Sequence, residues 1–222
     1  MRRKLLWATA FCLASPLAVY SQCLSANPVI SEVFYDASGP DSGLAFVELY
    51  GMPGTSLNGY RLEGINGTGG TIYSTVQLSG VIPADGVYLI GDDKGGATLV
   101  PGADFIADID YQNGPDSVVL RDDTTIFDAV GYGNFGGGDV FAGEGSPAPD
   151  PASGSSIARL DPLIDTNDNA ADFIALDMPT PGSIPGQVSA VPAPAALYLF
   201  GSGLLGLVGM ARRSQRPGLF TG

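Results

Sequence analysis

Asp161, Asp165, Asn167, Asp168, Asn169 and Asp172 place six oxygen-bearing side chains within twelve residues, the ligand type that calcium prefers. Asp165, Asn167 and Asn169 alternate as the first ligands of a twelve-residue calcium loop do, which makes them the candidate metal ligands and Ca2+ the candidate ion. The pattern then breaks. Ala170 stands where such a loop turns on glycine, and Leu176 stands where it closes on glutamate. The competing reading is an Asx-rich turn whose side chains bond local backbone groups ahead of a last strand.

Other chemistry is limited by what the chain lacks. With no histidine there is no Ser-His-Asp or Cys-His nucleophile and no His-ligated zinc. Cys12 and Cys23 both lie near the N-terminus, and Lys94 is the sole lysine beyond Lys4. A hydrolase working through two carboxylates remains the enzymatic alternative, since 23 acidic residues are available. The single tryptophan, Trp7, sits in the leading segment, so tyrosines are the polar aromatic platforms left for a sugar. The expectation is a protein without catalytic residues.

The elements that must position these side chains are strands. Short apolar–polar alternations run through Val29 to Tyr35, Ala45 to Tyr50, Tyr60 to Ile65, Val76 to Leu78, Val87 to Gly91, Ser117 to Leu120 and Thr125 to Tyr132. Turn chemistry such as Asn58-Gly59, Asn66-Gly67 and Asp85-Gly86 separates them. With 32 glycines and 17 prolines in 222 residues, the composition favours one all-β domain, a sandwich or a barrel. Residues 136–154 are poor in bulky apolar side chains and read as a long surface loop.

Charge is distributed unevenly. All acidic residues fall between Glu32 and Asp177, a span with only Arg61, Lys94, Arg121 and Arg159 as basic partners, for a balance of −19 against −13 for the whole chain. Nucleic-acid binding, which neutralises phosphates with Lys and Arg, is excluded as an expectation. Cations or basic partners suit this surface better.

The ends carry the basic residues. Arg2, Arg3 and Lys4 followed by the apolar run Leu5 to Leu13 read as an export signal over residues 1–21, cut after Ser21 or after Ala26, and handled by the Sec machinery. Gln22 precedes Cys23 where lipidation would need a small residue. At the other end, Val191, Pro192, Ala193, Pro194 and Ala195 precede an uncharged run over residues 195–211, then Arg212, Arg213 and Arg216. A run of about 17 apolar residues is near the minimum for a membrane span, and arginines after it would hold the C-terminus inside. These three parts together resemble the PEP-CTERM sorting segment in its VPxPA variant, over residues 191–216, with Ala193 where glutamate usually stands. The resemblance implies transient anchoring by a transmembrane helix, cleavage near the Pro motif by an exosortase-type membrane protease, and delivery to the cell surface or extracellular matrix. Residues 183–190 would be the linker and 217–222 a tail.

The central pieces, in order, resemble the bacterial lamin-tail domain over residues 28–182. They are Ile30-Ser31-Glu32-Val33, Phe46-Val47-Glu48-Leu49-Tyr50, Leu57-Asn58-Gly59-Tyr60-Arg61-Leu62, the stretch from Ile82 to Ile90, Asp116 to Leu120, Phe127 to Gly133, and Ser156 to Leu160 with Asp165 to Phe173, before Pro179-Thr180-Pro181-Gly182. That resemblance implies an immunoglobulin-like β-sandwich and a non-catalytic module, and it names no ligand. The functional expectation is a structural or adhesive surface protein whose sandwich binds extracellular polysaccharide, another protein or itself. A permanently anchored periplasmic module is the alternative destination.

Overall fold

Runs of β-branched and aromatic residues, each stopped by turn residues, pair into two sheets in the computed structural model, which describes residues 27–109 and 111–185. The first sheet holds six strands in the order β10-β9-β1-β2-β5-β6: β1 (Val29–Phe34), β2 (Phe46–Tyr50), β5 (Val87–Asp92), β6 (Phe105–Ala107), β9 (Ser156–Arg159) and β10 (Phe173–Leu176). The second holds four in the order β4-β3-β7-β8: β3 (Arg61–Asn66), β4 (Ile72–Gln77), β7 (Asp116–Arg121) and β8 (Ile126–Tyr132). Pairing is antiparallel except between β5 and β6. Since β9 is antiparallel to both neighbours, β1 and β10 run parallel on either side of it.

The sheets enclose one main core. Ile30, Val33, Val47, Leu49, Tyr88, Ile90 and Ile157 of the larger sheet meet Leu62, Val118, Leu120, Val130 and Tyr132 of the smaller. The Tyr35 and Tyr132 rings stack at 4.0 Å between them. The all-β, two-sheet expectation therefore holds.

Three local features depart from the sequence reading. β4 extends over Ile72–Gln77, well before Val76, because the polar run Tyr73-Ser74-Thr75 still pairs with β3. A single-turn helix, α1 (Asn169–Asp172), interrupts the expected all-strand order. The loop over residues 136–154 forms no strand, yet it is packed down: Phe141 covers Gly131, Ala148 is buried in the core, and Ala148 N–H bonds the Gly131 carbonyl.

The outer face of the larger sheet is also covered. Phe46, Leu89 and Val100 form a second small apolar cluster there, and the chain after β10 folds back so that Ile184 is buried. Every residue of β5 is consequently buried, on both faces. Among the described residues no helix is long and apolar enough to cross a membrane. The export signal, the transmembrane run 195–211, Val191 to Ala195, Arg212 and Arg213 lie outside the described residues.

Candidate functional site

Alternation along β9 puts Arg159 on the same side as Ile157, facing the core, and alternation along β8 does the same for Asp128 beside Val130. Both are buried, and they meet between the sheets: Arg159 Nη2 donates to Asp128 Oδ1 at 2.8 Å and Oδ2 at 2.9 Å. The rest of the guanidinium is also engaged. Nε donates to the Ile30 carbonyl, Nη1 to Asp172 Oδ2 at 2.9 Å and to Asp165 Oδ1 at 3.4 Å, and the Phe173 ring lies 4.7 Å from Cζ. Asp128 further accepts from the Ile30 and Ala129 N–H groups, so its oxygens receive four hydrogen bonds. Burial pushes the Asp128 carboxyl up, and Arg159 and the Ile30 N–H oppose that shift.

Helix α1 and the turn before it supply Asp172 and Asp165, and the long loop supplies Glu144. Asp172 accepts from Thr166 N–H and Thr166 Oγ1 as well as from Arg159. Carboxylate oxygens of Asp128, Glu144 and Asp165 lie within 4.8 Å of one another. Glu144 is pushed up to about 8, first by burial and then by the charges of Asp128 and Asp165. One of its oxygens, Oε2, is buried without a partner.

The three candidate calcium ligands are used differently from one another. Asp165 joins the Arg159 cluster and also accepts from the Asn167 N–H. Asn167 is exposed, with a positive φ of 55° that fits a turn. Asn169 is buried and spends its amide on backbone: Oδ1 accepts from Gly131 and Glu144 N–H, and Nδ2 donates to the Ala129 carbonyl. Asp168 accepts from Ser146 N–H and Asp161 from Leu163 N–H. The carboxylates that accompany Asp165 are instead Asp128 and Glu144, from β8 and the long loop. Their shared signal in the sequence was Arg159, an arginine at a core-facing position of Ser156-Ile157-Ala158-Arg159. Such an arginine requires acids from elsewhere in the chain.

A second acidic pair lies on the outer face of the larger sheet. Glu32 and Glu48 are direct cross-strand neighbours in β1 and β2, and both are fully buried. Glu32 accepts from Ser156 Oγ, Thr180 N–H and Thr180 Oγ1, and Glu48 accepts from Ser31 Oγ and Gly182 N–H.

Accessible concavities lie elsewhere. A groove of about 490 Å3 runs between β4 and β6, lined by Tyr73, Ser74, Thr75, Gln77, Phe105 and Asp108 among others. Tyr73 through Gln77 are consecutive, so the groove follows the edge of β4, whose outer backbone groups have no strand partner among the described residues. Its lining includes two aromatic rings, both partly buried against the core, beside hydroxyl, amide and carboxylate groups. No protein-family model matches this chain, and no curated protein matches it in sequence.

Proposed function

We propose that this chain is an exported, non-enzymatic protein of the cell surface or extracellular matrix, whose sandwich is an immunoglobulin-like module of the lamin-tail type that binds neutral polysaccharide. Export by the Sec machinery, transient anchoring through residues 195–211 and cleavage near Val191 to Ala195 by an exosortase-type protease belong to this proposal. The observation that carries the binding role is the groove along β4, where Tyr73 and Phe105 sit among Ser74, Thr75, Gln77 and Asp108. Apolar ring faces beside hydrogen-bonding groups suit a sugar polymer, and the acidic surface disfavours a polyanionic one.

The acids support a non-catalytic role. A retaining glycosidase holds two carboxyls about 5 Å apart with substrate between them. Asp128, one of the three acids whose carboxylate oxygens lie within 4.8 Å of one another, has no solvent exposure and accepts four hydrogen bonds from the protein itself.

The test has two arms. In the native host, intact mass and cell fractionation should find the mature chain cut near Val191 to Ala195 and outside the inner membrane; a full-length C-terminus in that membrane would make it an anchored periplasmic module. In affinity electrophoresis, neutral glucans should retard the protein and Tyr73→Ala should lose most of the retardation. Release of reducing ends from those glucans would instead favour the hydrolase.

A further inference from the structure

Glu32 and Glu48 face one another across the β1–β2 ladder with no solvent exposure, and among the described residues neither makes an ion pair with Lys or Arg. Like charges directly opposite destabilise a ladder, and burial without a counter-ion makes the second charge costlier. Three of the five hydrogen bonds that the pair accepts come from one short segment, Thr180 and Gly182.

That segment is built as a turn. Ser183 N–H bonds the Thr180 carbonyl at 3.0 Å, Pro181 occupies the second position, and Gly182 has a φ of +77°, the pattern of a type II turn. The turn directs the Gly182 N–H at Glu48 Oε2, 2.8 Å away. Ile184, just after it, is buried.

We propose that Glu32, Glu48 and the Thr180–Ser183 turn form a proton-operated latch, which holds the C-terminal segment on the sheet while the pair shares a proton and releases it when both carboxyls ionise. Among the described residues no neighbouring group supplies a positive charge, and the hydroxyl and backbone donors offset the burial only in part. Ser31 and Ser156 are the side-chain donors from β1 and β9, Leu89 is the apolar neighbour from β5, and the groove beside Pro181 and Gly182 is lined by two further acids, Asp85 and Asp104. Glu48 is pushed up to about 8, by burial first and by the Glu32 charge as well, and burial also raises Glu32 against its three donors. A carboxyl raised in this way stabilises the closed latch fully below its ordinary value of 4.5, and that contribution is lost as pH rises through about 8. The inference needs only the described residues and stands whether or not the chain is a surface protein.

Hydrogen exchange by mass spectrometry on the purified full chain tests it. After correction for intrinsic rates, protection of a peptide covering Thr180 to Ile184 should fall at least about tenfold between pH 6.5 and 9.5, while a peptide covering β7 stays unchanged. Glu48→Gln should keep the segment protected at pH 9.5. Protection that is flat with pH in the unaltered protein would overturn the latch, and so would Glu48→Gln protein that opens at high pH just as the parent does. Should Glu48→Gln not fold, Glu32→Gln carries the same expectation, and the pH series on the unaltered protein decides by itself.

Discussion

Arg159 on β9 reaches across the sandwich to Asp128 on β8, so that one guanidinium nitrogen lies 2.8 and 2.9 Å from the two oxygens of a carboxylate in the other sheet. The pair therefore acts as a polar pin between layers otherwise joined by apolar contact. Its surroundings are complete: Asp172, Asp165 and the Ile30 carbonyl take the remaining guanidinium donors.

Removing one member of that pin leaves a buried charge without its counter-ion. Arg159→Met should cost about 3–5 kcal/mol in urea denaturation, and adding Asp128→Leu should recover part of the loss. A single-variant cost under about 1 kcal/mol would place the pair with surface ion pairs, which contribute little.

Asn169 holds the long loop to β8 through three hydrogen bonds, to Gly131 N–H, Glu144 N–H and the Ala129 carbonyl. Asn169→Ala strands all three backbone groups and should cost at least about 2 kcal/mol, with new proteolytic cleavage between Gly143 and Ser146. Asn169→Asp keeps the two acceptor bonds and should lose less.

Two glycines without positive φ give a paired test of packing. A Cβ on Gly67 would run into the Pro115 carbonyl oxygen, which belongs to backbone and cannot swing aside, whereas a Cβ on Gly137 meets nothing within 4 Å. Gly67→Ala should cost about 1–3 kcal/mol and lower the melting temperature, and Gly137→Ala should change stability by less than about 0.5 kcal/mol.

Glu144, raised to about 8, predicts a pH dependence with a definite sign. A carboxyl whose folded value exceeds the unfolded 4.5 favours the folded state fully below 4.5, and this contribution is lost as pH climbs through about 8. Glu144→Gln should therefore be more stable than the parent at pH 9 and closer to it at pH 5, measured by thermal melts at both values.

Calcium offers a direct check on the acidic cluster. With Asp128 saturated by four donors and Asn169 committed to backbone, millimolar calcium should leave the melting temperature unchanged. A rise that Asp165→Ala abolishes would make the cluster a cation site.

How far the sequence revealed this depended on the range of each interaction. Strand positions were legible because alternation and turn residues are local: Val29, Phe46, Arg61, Val87 and Asp116 each begin a strand at or next to the expected residue. β6 was missed because three residues carry no period. Glu32 and Glu48 look like solvent-facing members of an alternating strand, but the returning chain at Thr180 and Gly182 covers them. The Arg159 site joins residues from five separate stretches, and of these only the Asp165 to Asp172 cluster stood out, because oxygen-rich spacing is visible without knowledge of contacts.

The parallel course of β1 and β10 on either side of β9 has a mechanical consequence. The chain enters β1 at Val29 and leaves β10 at Leu176 from opposite ends of the sheet, so a pull between the flanking segments loads the β1–β9–β10 ladders in shear. All their rungs then resist together instead of opening one by one. The Thr180–Ser183 turn would peel away first under such a load, a slack length taken up before the sandwich itself bears tension.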